Sequence, residues 1–163
     1  MPTTKDLSRS TSTQGVRASA PSGQAAELIE GLNEDLAGEL QAILMYLHYS
    51  ATLTGPYRQE LRSLFQGEIA DEQGHAQFLS DKIAALGGKP TTNPRPVPDA
   101  RDAREMLLRV LDAEKQTIRD YNRRVEQAEQ FGDVGLKVEL ENQISDETHH
   151  KELVERILAG WDE

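Results

Sequence analysis

The sequence has no cysteine. Disulfides, thiolate metal sites, iron–sulfur clusters and cysteine nucleophiles are therefore excluded, and thiol usage does not fix the compartment. Positive charge is also short, with 18 Lys and Arg against 28 Asp and Glu and a net charge of −10. That balance argues against binding nucleic acid or an anionic membrane over the whole surface. No stretch is long and apolar enough to span a membrane. The N-terminus has no apolar signal core, so the expected location is the cytoplasm. What remains is a chain of 163 residues, a length that suits one domain with a sizeable core.

Residues 1–24 are rich in Ser, Thr, Gln, Gly and Ala. They read as a flexible polar tail ahead of a domain over residues 25–163. Lys5, Arg9 and Arg17 outweigh Asp6 there, so the tail is the one candidate arm for DNA. Four helical patterns follow, at about 25–52, 56–86, 102–130 and 134–158. The first carries Leu32, Leu36, Glu39, Ile43, Tyr46 and Ser50 at alternating steps of three and four, one seam of a bundle helix. The second carries Leu61, Phe65, Glu68, Glu72, His75 and Leu79. Three ionisable groups in succession on an apolar face require a reason, because unpaired buried charge is costly.

Residues 89–100 hold four of the seven prolines and are not expected to be helical. A dozen extended residues reach roughly 40 Å, and a helix of about 28 residues is roughly 42 Å long. The linker can therefore run the length of the bundle and start helix three beside the start of helix two. The expected fold is an all-α four-helix bundle with one long crossover and no fifth helix. The third and fourth seams read Leu107, Leu111, Glu114, Ile118, Tyr121, Val125 and Leu136, Leu140, Ile144, Glu147, His150, Val154.

Shifted by 75 positions, the two halves superimpose without a gap. Leu32, Leu36, Glu39, Ile43 and Tyr46 meet Leu107, Leu111, Glu114, Ile118 and Tyr121, and Ile69, Asp71, Glu72 and His75 meet Ile144, Asp146, Glu147 and His150. In each half a lone Glu precedes a Glu-x-x-His motif by 33 residues. Residues three apart share a helix face, so each motif can offer its carboxylate and imidazole to one ion. Buried acids and histidines repeating in register are harder to ascribe to packing than repeating leucines. Four carboxylates and two imidazoles suit Fe(II) or Mn(II) better than structural zinc. In such a centre Glu72 and Glu147 bridge, Glu39 and His75 hold one ion, and Glu114 and His150 hold the other. Tyr46 and Tyr121 lie two turns from the lone acids and are candidates for hydrogen bonding or electron donation. Glu68 breaks the repeat, since its mate is Gln143, and is a weaker ligand candidate. Asp71 and Asp146 are candidate supports for the ligands. His48 is expected to face away from the centre, and His149 to be exposed or at an interface.

With these residues laid out, the chain resembles the ferritin-like superfamily over about residues 25–158, and bacterioferritins most closely. Their di-iron pattern of Glu, Glu-x-x-His, Glu, Glu-x-x-His is matched here by Glu39, Glu72-x-x-His75, Glu114 and Glu147-x-x-His150, and Tyr46 falls where that family has a tyrosine. The resemblance implies two Fe ions per subunit, oxidation of Fe(II) by O2 or H2O2 with Tyr46 beside the reacting site, and Fe(III) storage in a homo-oligomeric cage, a role in oxidative stress. Manganese is the other metal considered. The family's haem-binding Met is replaced by Gln73, so haem is not expected. The missing fifth helix and the polar tail resemble the twelve-subunit Dps mini-ferritins, so a twelve-mer is favoured over a twenty-four-mer. The other functions considered are a DNA-protecting Dps-type protein and another di-metal enzyme, such as a manganese catalase.

Overall fold

The computed structural model describes residues 23–161. The tail expected over residues 1–24 lies outside the described residues except for its last two, which belong to a helix. Four helices make up the described chain: α1 (Gly23–Thr52), α2 (Arg58–Ala85), α3 (Ala103–Phe131) and α4 (Val134–Ala159). None is long and apolar enough to cross a membrane.

The helix ends follow from local chemistry. Asp102 caps α3 by accepting the Glu105 N–H at 2.9 Å, and Asp133 caps α4 by accepting that of Leu136 at 2.9 Å. Gly87 ends α2 and Gly132 ends α3, each at φ 83°, a conformation that glycine reaches without steric cost. The N–H of Gly88 bonds the Ile83 carbonyl and that of Gly87 the Ala84 carbonyl, which satisfies carbonyls that the end of α2 would leave open. Asp133 also pairs with Lys82 of α2, tying this end of the bundle together. Two starts differ from expectation. α1 begins at Gly23, two residues early, and α2 at Arg58, two residues late. Gly55, at φ 96°, and Pro56 make a turn that the Arg58 N–H closes on the Gly55 carbonyl.

The crossover runs as expected. Thr91 N–H bonds Asn33 Oδ1 at 2.7 Å, Arg95 N–H bonds the Ala37 carbonyl at 2.9 Å, Gln41 reaches the Pro96 carbonyl, and Tyr49 O–H bonds the Pro98 carbonyl at 2.6 Å. The linker thus climbs α1 from Asn33 to Tyr49 and delivers the chain to the other end of the bundle. Paired residues show the helix directions. Tyr46 and Glu39 of α1 meet Glu114 and Tyr121 of α3, and Glu68 and His75 of α2 meet His150 and Glu147 of α4. Both pairs are antiparallel.

The core has two apolar halves. One gathers Met45, Tyr46, Tyr49, Phe65, Leu107 and Val110, and the other Leu28, Leu32, Leu36, Leu79, Ile83 and Leu140. Between them, at mid-bundle, lies a layer of buried acids and histidines. The seams are broader than the sequence pattern alone indicates: Met45 and Tyr49 are fully buried, whereas Ile43 and its repeat mate Ile118 are half-buried at the edges.

Candidate metal centre

All six expected metal ligands meet in that layer. Glu39, Glu72, Glu114 and Glu147 are at most 3% exposed, and His75 and His150 are each 7% exposed. Their ligand atoms form two overlapping groups, Glu39, Glu72, His75, Glu147 and Glu72, Glu114, Glu147, His150, with the atoms of each within 4.8 Å of one another. The groups share Glu72 and Glu147. Glu147 turns Oε1 to His75 Nδ1 at 2.9 Å and Oε2 to His150 Nδ1 at 3.7 Å. Glu72 turns Oε2 to His75 Nδ1 at 3.7 Å and Oε1 to His150 Nδ1 at 4.0 Å. Each shared carboxylate therefore has one oxygen on each side, as a bridge between two cations requires.

The orphaned atoms test whether a metal fits. Glu39 Oε2, Glu72 Oε1, His75 Nδ1, Glu147 Oε1 and His150 Nδ1 are buried without a hydrogen-bond partner. Buried polar atoms ordinarily find partners, and leaving one unmet costs about 1–3 kcal/mol. Five such atoms converging on one point are what a site for hard-to-intermediate cations needs, and the donor set fits Fe(II) or Mn(II).

The tyrosines do something that helix periodicity does not reveal. Tyr46 O–H donates to Glu114 Oε1 at 2.5 Å, and Tyr121 O–H donates to Glu39 Oε1. Each supports the lone glutamate of the opposite half, because α1 and α3 run antiparallel. Burial, and next the charge of the partner glutamate, push both phenols well above their usual range. Both are neutral donors that fix one oxygen of each lone acid and leave the other for a cation.

Without a cation the cluster stores protons. Burial and the Glu147 charge raise Glu72 well above the carboxylate range, and burial and the hydrogen bond with Glu147 do the same to Glu114. Glu147 is held low: burial opposes this, but the neighbouring Glu114, His150 and His75 outweigh it. Burial likewise opposes the charging of His150, yet the neighbouring Glu147 and Glu68 push its pKa up to about 10. His75 is raised in the same way by Glu147, Glu39 and Glu72.

His48 and His149 are exposed, as expected. Asp71 and Asp146 are also exposed, with carboxylates 3.9 Å from His150 Nε2 and 3.7 Å from His75 Nε2. Glu68 is half-buried and stands 2.9 Å from His150 Nε2. A groove of about 670 Å³ between α2 and α4 reaches both histidines, past Asp71, Gly74 and Asp146. Sequence reasoning missed one buried group beside the centre. Arg124 of α3 pairs with Asp35 of α1 at 2.7 Å, and Gly31 leaves room for its guanidinium. Asp35 lies one turn before Glu39, and that four-residue spacing is the one signal of it in the sequence.

The ferritin-like domain family matches residues 29–162. The chain is a member of the ferritin-like superfamily. Within it, the chain is similar to bacterioferritins. It is 29% identical to the bacterioferritin of Desulfovibrio desulfuricans over 133 residues, which span 81% of this chain and 74% of the relative. It is also 29% identical to the bacterioferritin of Streptomyces coelicolor, over 81% of this chain and 80% of the relative. Among solved structures, a ferritin-like, diiron-carboxylate protein from Bacillus anthracis superimposes with a TM-score of 0.83 at 52% identity, over 84% of this chain and 99% of its own. The D. desulfuricans bacterioferritin, a protein with a diiron site, superimposes with a TM-score of 0.77 at 28% identity, over 83% of this chain and 80% of its own.

Proposed function

We propose that this ferritin-like protein binds two Fe(II) ions per chain, oxidises them with O2 or H2O2, and sequesters the Fe(III) product in an oligomeric cage. The observation that carries the reading is the pair of shared carboxylates. Glu72 and Glu147 each present one oxygen to the His75 side and one to the His150 side. In this reading Glu39 and His75 complete one position, and Glu114 and His150 the other. Two Fe(II) ions held side by side supply one electron each, and with two protons these reduce H2O2 to two waters or O2 to H2O2. Four glutamates balance the charge of two divalent cations. The protons that Glu72, Glu114 and the histidines hold in the metal-free protein leave as cations bind. Tyr46, with its hydroxyl on Glu114, is the candidate electron donor and holds that carboxylate in place. The groove between α2 and α4 is the approach for Fe(II) and oxidant. The relatives' diiron chemistry favours iron over manganese at a donor set that suits both.

The cage requires symmetric self-association, and twelve subunits are favoured over twenty-four. Light scattering on the purified protein gives the count, and a stable monomer or dimer contradicts the storage half of the reading. Stopped-flow mixing of Fe(II)-loaded protein with O2 or H2O2 tests the oxidation half. Rapid formation of Fe(III) in the native protein and its loss in Glu147→Ala is the expected result. Equal rates in both proteins refute it.

A further inference from the structure

The two halves of the centre are related by the repeat at every ligand, and among the acids outside that set that approach the two histidines they part at one position. Glu68 of α2 corresponds to Gln143 of α4. The carboxylate of Glu68 pairs with His150 at 2.9 Å from Nε2, on the imidazole edge opposite the Nδ1 that faces the bridging acids. Gln143 lines the same groove as His75 and is buried, and Glu68 Oε2 and Gln143 Oε1 alike make no aligned hydrogen bond. The other nearby acids match across the repeat: Asp71 stands 3.9 Å from His150 Nε2, and Asp146 stands 3.7 Å from His75 Nε2, both exposed. Among these acids the difference is thus one half-buried carboxylate against His150, with a neutral amide at the matching position of the repeat.

A carboxylate that takes the outer N–H of a ligating imidazole fixes its tautomer and orientation and makes the inner nitrogen a better donor. Removing such a partner typically costs 10–100-fold in metal affinity. We propose that Glu68 is a positioning residue that makes the two cation positions unequal, so that the first divalent cation enters the Glu114–His150 position and the second the Glu39–His75 position. Ordered filling keeps a half-loaded centre in one arrangement, with its open position on the His75 side of the groove. The proposal rests on the reading of the six residues as a two-cation site.

Anaerobic Co(II) titration of the full-length, metal-stripped protein tests it, by calorimetry and by the cobalt ligand-field bands. The native protein is expected to bind two Co(II) in two resolved steps. His150→Ala should remove the tighter step and His75→Ala the weaker. Glu68→Gln, which copies Gln143, should weaken the tighter step by about 10–100-fold and leave the other within about twofold. Gln143→Glu should strengthen the weaker step, and it decides the matter should Glu68→Gln fail to fold by circular dichroism. Two equal steps in the native protein, an unchanged tighter step in Glu68→Gln, or equal weakening of both steps would overturn the proposal. Native protein that binds no Co(II), or binds it indifferently to Glu147→Ala, overturns the two-cation site itself, a result distinct from any of these.

Discussion

Replacing Glu72 by Gln should make the metal-free protein more stable. Glu72 is 1% exposed, and burial together with the charge of Glu147 raises its pKa well above the ordinary 4.5. The folded chain then binds a proton that the unfolded chain releases. This group's contribution to stability is fully present below pH 4.5 and is lost as pH rises toward the folded pKa. While the folded carboxyl keeps its proton, each pH unit above the ordinary value costs about 1.4 kcal/mol. Glutamine has nearly the same shape and no proton to lose, so Glu72→Gln escapes this cost. Urea unfolding in the presence of a chelator at pH 4.5, 5.5 and 6.5 should show near-equal stabilities at the lowest pH. The gap should widen in favour of the variant as pH rises, by at most about 1.4 kcal/mol per pH unit. The same variant should lose tight binding of a second divalent cation. A gap independent of pH, or a variant less stable than the native protein at pH 6.5, refutes the idea that these acids are held at a cost for their ligand role.

Other perturbations have defined outcomes. Saturation with Co(II) at a hundredfold excess over its dissociation constant should stabilise the protein by about 2.7 kcal/mol, read as a rise in thermal midpoint that Glu147→Ala abolishes. Tyr46→Phe and Tyr121→Phe each remove a buried donor to a lone glutamate and should each cost about 1–3 kcal/mol in chelator, measured by denaturant midpoint; Tyr46→Phe should also slow Fe(II) oxidation. Gly31→Ala places a Cβ on the Arg124 guanidinium and forces it off Asp35. Breaking a buried pair costs about 3–5 kcal/mol, so a variant within 1 kcal/mol of the native protein in urea unfolding would show that Arg124 has another place to go.

Much of this architecture was legible because the chain states it twice. Glu-x-x-His in each half, 33 residues after a lone Glu, places six groups at one level whichever way the helices pair. The prolines of the linker gave its extended reach, and the structure lays it along α1 by hydrogen bonds at Asn33, Ala37 and Tyr49. The rest depended on facts that a single helix does not carry. That Tyr46 serves Glu114 rather than Glu39 follows from the antiparallel packing of α1 on α3, which sets residues of opposite halves face to face. The Asp35–Arg124 pair stayed hidden because a seam counts one face, and Arg124 reaches it only through the gap at Gly31. Glu68 was discounted because it broke the repeat, yet the break puts a carboxylate against one histidine alone. The start of α2 was misplaced because Pro56 suits a helix's first turn as well as it suits the tight turn that it occupies.

Anomalous diffraction at the iron edge, from crystals loaded with Fe(II) under anaerobic conditions, addresses the central claim most directly. The account predicts two iron peaks per chain at mid-bundle, one against Glu39 and His75 and one against Glu114 and His150, with Glu72 and Glu147 between them. A single peak, or iron confined to the exposed acids of the surface, would contradict it.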